Sequence, residues 1–122
     1  MRPEEKVRLR LLSYLTEKLN YPRELIAVEK ELSLLPGCAA APKRRLDILV
    51  YLKKASELRP LLIIECKAGR ATRAALEQVL GYNHTVQAPF VAVVGKDTAL
   101  TAGKDGAILG GLLFYEELIA AL

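Results

Sequence analysis

The sequence predicts an α/β fold, in which a mixed β-sheet is flanked by helices. Two runs of mainly apolar residues, at 61–66 and 90–95, are typical of central strands buried on both faces. A helical segment at 72–85 lies between these runs, and an amphipathic helix precedes them near the amino terminus. Helices placed in this way have to pack on the faces of one sheet, and the whole chain is needed to cover it.

The first helix is predicted from its opening residues and its apolar stripe. Pro3 suits a first helical turn, and early carboxylates complement the helix dipole. The stripe at helical spacing consists of Val7, Leu11, Leu12, Tyr14, Leu15 and Leu19. Extended backwards, it places Glu4 on the buried-facing side and Arg8 close to the same face, whereas Glu5 is rotated away by ~100°. The helix is expected to stop before Pro22.

Three strands are predicted after the first helix. The first is the weakest prediction, because Glu29 and Glu31 introduce charges into it. The second covers roughly 46–52 and the third 61–66, and polar residues 53–59 are predicted to form the hairpin connection.

The second helix, 72–85, leads into the buried-type strand 90–95. Residues 96–106 are polar and contain glycine, which predicts loop and turn. A further strand at 107–113 is weakened by two successive glycines. A short helix at 114–122 completes the predicted elements.

Composition is typical of one globular domain covering residues 1–122, with 52% hydrophobic and 26% charged residues. The net charge of +4 permits a polyanionic partner, although many basic proteins bind none. Cys38 and Cys66 lack metal-type spacing, so we expect reduced thiols in a cytoplasmic protein. No apolar run approaches the ~20 residues of a membrane helix, so no membrane partner is expected.

Two of the predicted strands carry acidic residues where charge is energetically costly. Asp47 lies inside the run 46–52, and Glu65 follows four consecutive apolar residues. If these strands pair as a hairpin, Asp47 can lie beside Glu65. Residues i and i+2 of a strand share a face, so Lys67 points the same way as Glu65, and Cys66 points to the other side.

Two carboxylates held this close repel each other unless a cation lies between them. Mg²⁺ takes one or two carboxylates and leaves positions for water and phosphate oxygens. A lysine beside the metal can orient the attacking water or stabilise charge growing on phosphorus. The sequence therefore predicts a metal and phosphate site at Asp47, Glu65 and Lys67. The alternative is that these three residues are strand-end charges facing solvent.

The arrangement of an aspartate, one hairpin, an apolar run and Glu-x-Lys resembles the PD-(D/E)xK nuclease superfamily. Its restriction-endonuclease-like fold is a mixed sheet flanked by helices. Asp47, Glu65 and Lys67 match its core positions, although Arg45-Leu46 stand where a proline is expected before the aspartate. More narrowly, the segments RPEEKVR, YPRELIAVEKEL, RLDILVY and LLIIECKA resemble the N-terminal nuclease domain of type I restriction enzyme R subunits. The resemblance extends to about Val94.

The resemblance implies a nuclease that uses Mg²⁺ (or Mn²⁺) to hydrolyse DNA phosphodiester bonds. Asp47 and Glu65 would be its metal ligands, and Lys67 would act on the water or the transition state. The first helix of such nucleases also carries a glutamate that assists the metal. The helical stripe assigns this role to Glu4 rather than Glu5, although both are also ordinary first-turn acids.

Further residues are predicted to support DNA binding. Gln78 and Tyr82, at i and i+4, share a helix face and resemble the Gln/Tyr pair of RecB-like nucleases. Arg8, Arg45 and Arg70 are predicted to contact phosphates. The other cations that bracket the site in sequence are Lys43, Arg44 and Arg73. The alternative is that Tyr82 packs in the core while Gln78 and the cations are simply solvated.

The partners that the resemblance implies are DNA and other restriction-modification or helicase subunits. R subunits are long proteins with a helicase motor, and this sequence contains no Walker motif. We therefore expect a free-standing nuclease, a fragment, or a module that works with other subunits. A single site cuts one strand, so double-strand cleavage would need a homodimer or repeated visits. Two alternatives stay open: a non-catalytic nucleic-acid- or partner-binding module that retains the nuclease fold, and an assembly domain without a nucleic-acid role.

Overall fold

The structure, a computed structural model, describes residues 1–41 and 43–122, and in them a six-stranded sheet with three α-helices. The helices are α1 (Pro3–Glu17), α2 (Arg73–Val86) and α3 (Tyr115–Ala120). The strands are β1 (Ile26–Glu31), β2 (Arg45–Lys54), β3 (Glu57–Cys66), β4 (Phe90–Val94), β5 (Ala99–Gly103) and β6 (Ile108–Gly110). The predicted α/β fold is therefore confirmed. Within the described ranges, no helix has the length and apolar character that crossing a membrane requires.

The six strands lie in the sheet in chain order, from β1 to β6. β3 and β4 are parallel and are connected through α2, while the other neighbouring strands are antiparallel. Helix α2 begins at an N-cap, Thr72, whose hydroxyl accepts a hydrogen bond from the N–H of Ala75. This topology brings the start of β2 and the ends of β3 and β4 to one edge of the sheet, where the predicted acidic residues lie.

The sheet separates two apolar cores. Ile48 and Ile64 face a core formed with α1 and α3, and Leu49 and Ile63 face a core formed with α2. All four residues of the apolar run Leu61–Ile64 are at most 1% exposed. The prediction that β3 is a central strand covered on both faces is confirmed, and this burial holds the ends of the strands at fixed positions.

Three predictions about the elements are wrong in detail. The segment 96–106, predicted as loop, contains β5, which pairs along the whole length of β4. Its small and polar residues give little strand pattern, but the buried backbone of β4 needs a hydrogen-bonding partner on this side. The predicted strand 107–113 is reduced to β6, Ile108–Gly110. The β2–β3 connection is shorter than 53–59, because β2 continues to Lys54 and β3 begins at Glu57.

Candidate functional site

The candidate site lies where β2 separates from β3 at one edge of the sheet. The ladder between these strands runs to the pair Ile48 and Ile64, and the next residues in register are Asp47 and Glu65. Beyond that pair, Asp47 Oδ2 accepts a hydrogen bond of 2.7 Å from the backbone N–H of Cys66. The carboxylate of Asp47 is thereby fixed at the end of β3, next to Glu65.

The end of β3 is held on its other side by β4. Glu65 and Cys66 are in register with Val93 and Val94. The backbone N–H of Lys67 also donates to the carbonyl oxygen of Val94 at 2.8 Å. Because of these contacts, β3 keeps its place in the sheet beyond the point where β2 has separated from it. Glu65 and Lys67 line the cavity that lies at this separation.

The carboxylate of Glu65 is largely buried, with 12% of its side chain exposed. Burial raises the pKa of Glu65 and the charge of Asp47 raises it further, while Arg44 and Lys67 act in the opposite direction. Arg44 Nη2 lies 3.4 Å from Glu65 Oε1. The guanidinium carbon of Arg44 lies 3.9 Å from the centroid of the Tyr82 ring. Tyr82 therefore holds by a cation–π contact the arginine that partly compensates the charge of Glu65.

Cys66 is separated from this chemistry by the alternation of side chains along β3. Its side chain is 3% exposed and belongs to the core beneath α1, as predicted. Burial, together with the charges of Asp47 and Glu65, raises the pKa of the Cys66 thiol to about 12. The thiol is therefore protonated near neutral pH and is a poor nucleophile or metal ligand.

The two carboxylates open onto a cavity of about 390 Å³ at the first turn of α1, which we call the acidic cavity. It is lined by Arg2, Glu4, Glu5, Arg8, Glu29, Asp47, Glu65, Cys66, Lys67 and Ala68. Five of these residues are acidic and three are basic, so the lining carries an excess of negative charge that attracts cations.

Both glutamates of the first turn of α1 line the acidic cavity, so the prediction that Glu5 is rotated away is wrong. Glu5 is partly buried and pairs with Arg2 at 3.1 Å, whereas Glu4 is exposed rather than on the buried side. Extending the apolar stripe of α1 did not separate the two glutamates, because the helix begins at the acidic cavity. Successive side chains there both reach the cavity despite their ~100° difference in direction. A metal-ligand role for Glu4 stays a prediction.

Glu29 is an acid of the cavity that the sequence did not reveal. Arg8 Nη1 donates to Glu29 Oε1 at 2.7 Å, and this hydrogen bond lowers the pKa of the Glu29 carboxyl group. Glu29 lies on β1 opposite Asp47, where the ladder between β1 and β2 skips one pair, and its φ is +50°. Only the register of β1 on β2 identifies this residue, and no residue pattern fixes that register.

Residues 3–104 match the family described as type I restriction enzyme R protein N terminus. The chain belongs to this family. The match covers more than four fifths of the 122 residues and includes α1 through β5, with every residue of the acidic cavity except Arg2. No curated protein and no solved structure matches the chain. The resemblance to the N-terminal domain of type I restriction enzyme R subunits is therefore confirmed.

The residues predicted to support DNA binding fall into two groups. Arg8 lines the acidic cavity, and Tyr82 reaches Glu65 through Arg44. Gln78 on α2, Arg45 at the start of β2 and Arg70 after β3 are exposed and do not line that cavity. Arg44 was one of several cations near the site in sequence. No sequence signal separated it from Lys43 and Arg45, because its contacts with Glu65 and Tyr82 depend on tertiary structure.

The donor set of the candidate site fits Mg²⁺ or Mn²⁺. Asp47 and Glu65 provide hard carboxylate oxygens, and Asp47 Oδ2 is already fixed by the N–H of Cys66. No group of three or more His, Cys, Asp or Glu in ranges 1–41 and 43–122 is arranged to hold a metal ion. Mg²⁺ commonly binds through only one or two carboxylates and keeps several waters, a requirement that two carboxylates such as Asp47 and Glu65 fit.

Proposed function

We propose that this domain is a metal-dependent nuclease that hydrolyses DNA phosphodiester bonds. One observation carries the proposal: Asp47 and Glu65 are adjacent at the fork between β2 and β3, and Lys67 lines the same cavity. Membership of the R-subunit N-terminal family supports it. A solvent-facing set of strand-end charges would not place a carboxylate with 12% exposure beside a second acid.

Each of the three site residues, Asp47, Glu65 and Lys67, has a separate role in this proposal. Asp47 and Glu65 would hold the metal ion, and Glu4 is the candidate additional ligand. When bound, Mg²⁺ polarises a phosphoryl oxygen and lowers the pKa of a coordinated water. Lys67 carries a positive charge toward the cavity, where it orients the attacking water or stabilises charge on the phosphate. The candidates for contacts to the DNA are Arg8, Arg45, Arg70 and Gln78.

The test is cleavage of plasmid and single-stranded DNA with Mg²⁺, with Mn²⁺ and with EDTA. We expect cleavage with either cation and none with EDTA. Lys53→Ala is the control for variants of the site. It removes one exposed positive charge from the far end of β2 and should cleave DNA as the unaltered protein does. Cleavage that persists in EDTA would contradict the proposal. Binding without cleavage under every metal condition would favour the alternative, a non-catalytic module that retains the fold.

Replacing Arg44 by alanine is expected to reduce metal-dependent cleavage by roughly 10- to 100-fold, the usual effect of removing a residue that orients a metal ligand. Without Arg44, the buried Glu65 carboxylate loses its 3.4 Å partner and the cation that lowers its pKa. Tyr82→Leu removes the ring that holds Arg44 and should have an effect in the same direction. Tyr82→Phe keeps the ring face and is the control. Cleavage rates at saturating Mg²⁺ measure the effect. If Arg44→Ala and Tyr82→Leu cleaved DNA as fast as Tyr82→Phe and the unaltered protein, a positioning role for Arg44 would be excluded.

A further inference from the structure

A basic groove continues from the acidic cavity along the other side of α1. It consists of two cavities of about 660 and 310 Å³, which share Val7, Arg10 and Lys96 in their linings and therefore adjoin each other. Ala68 lines both the larger of these cavities and the acidic cavity. The groove thus begins directly beside the proposed catalytic residues, and α1 separates its walls from the acids on the opposite side of the helix.

The charge of the groove is opposite to that of the acidic cavity. Lys6, Arg10 and Lys96 line it and are exposed, and among the described residues that line its two cavities there is no aspartate or glutamate. None of the three cations forms an ion pair within ranges 1–41 and 43–122. Arg10 is directed to the loop after β4, where Nη2 lies 3.5 Å from the carbonyl oxygen of Lys96. Such a row of uncompensated cations attracts a chain of phosphates.

The floor of the groove is apolar and includes one aromatic ring. Leu9 lines the larger cavity and is 46% exposed, and Tyr14 lines the smaller one and is 48% exposed. Val7 and Leu11 are buried residues of the core beneath α1 and also line the smaller cavity. Apolar and aromatic surface between cations is what an unpaired base contacts, whereas the bases of a duplex are stacked and not available.

We propose that the basic groove binds an unpaired stretch of the DNA strand that flanks the phosphate to be cleaved. This inference rests on the proposed nuclease function, since it places the cleaved phosphate at Asp47 and Glu65. From there the strand passes Ala68 and enters the groove. Lys6, Arg10 and Lys96 neutralise successive phosphates, and the Tyr14 ring stacks on a base. The preferred substrate is therefore single-stranded DNA, or duplex DNA with an unpaired segment next to the cleavage point.

The test is binding of a fluorescent single-stranded oligonucleotide in EDTA, measured by anisotropy across a range of salt concentrations. The triple variant Lys6→Gln/Arg10→Gln/Lys96→Gln should bind at least 10-fold more weakly at low salt. Because a single-strand phosphate contact contributes about 0.7 to the slope of log K against log salt, losing three contacts should reduce that slope by about 2. Tyr14→Ala should weaken binding by about 10-fold without changing the slope, and Tyr14→Phe should bind as the unaltered protein does.

The matched control is Lys18→Gln/Lys53→Gln/Lys54→Gln, which removes the same net charge from exposed positions outside the groove. Equal weakening by the two triple variants would overturn the proposal, because net charge alone would then explain binding. Blunt duplex DNA bound as tightly as single strands, with no effect of Tyr14→Ala, would overturn the assignment to an unpaired strand. Far-UV circular dichroism and melting temperature verify that each variant is folded.

Binding in EDTA separates this proposal from the proposed function. If the groove variants lose binding but the unaltered protein cleaves no DNA with any metal, the groove assignment stands and the nuclease assignment fails. If the protein cleaves DNA and the groove variants bind and cleave normally, the groove assignment fails and the nuclease assignment stands.

Discussion

Asp47→Asn is expected to abolish metal-dependent cleavage, with a loss of more than about 100-fold, while the fold is preserved. A metal ion held by Asp47 and Glu65 would contribute several kcal/mol of charge stabilisation, and each 1.36 kcal/mol corresponds to a factor of ten in rate. Asparagine retains a side-chain oxygen that can accept the hydrogen bond from the N–H of Cys66, which is 2.7 Å long in the structure. It also removes the charge that raises the pKa of Glu65.

Asp47→Ala separates the chemical role of this residue from its structural one. Alanine removes the ligand and also leaves the backbone N–H of Cys66 without its acceptor, at a cost of about 1–3 kcal/mol. We therefore expect both variants to lose cleavage and Mn²⁺ binding, but only Asp47→Ala to unfold at lower denaturant concentration. Calorimetric titration with Mn²⁺ and urea unfolding are the two measurements. Full Mn²⁺ affinity in Asp47→Asn would remove Asp47 from the proposed ligand set.

The central part of the fold and of the site could be predicted from local sequence. Glu65 follows four apolar residues that are all buried, so the sequence was enough to predict its position at the end of a strand covered on both faces. Strand alternation placed Cys66 in the core, and hairpin pairing placed Asp47 next to Glu65 in register. Each of these inferences depends on neighbours within one strand or one hairpin, where the period of two and the register are strongly constrained.

The remaining parts depend on contacts between elements that are distant in sequence. Glu29 reaches the cavity because β1 pairs with β2 in a register that skips the position opposite Asp47. Arg44 is selected among the nearby cations because α2 presents Tyr82 beneath it. The strand β5 exists because β4 needs a partner, although residues 99–103 have little strand pattern of their own. In each case tertiary context overrides what the local residues indicate.

Lys67→Ala is expected to reduce cleavage by roughly 10²–10³-fold, as is typical when one preorganised group that stabilises transition-state charge is removed. Its backbone N–H donates to the carbonyl of Val94, so the main-chain contact that holds the end of β3 survives the substitution. Mn²⁺ should bind this variant at least as tightly as it binds the unaltered protein, because a cation that competes for Glu65 has been removed.

The combination of lost cleavage and retained metal affinity distinguishes Lys67 from a ligand. Lys67→Arg, which keeps the charge but replaces a compact ammonium by a planar guanidinium, should recover only part of the rate. Single-turnover cleavage at saturating Mn²⁺ measures the chemical step, and calorimetry measures the metal. If Lys67→Ala lost Mn²⁺ binding together with cleavage, its contribution would be to the arrangement of Asp47 and Glu65. The positive charge that stabilises the phosphate would then have to come from another cation of the acidic cavity. Arg8 is a candidate because it lines the same cavity.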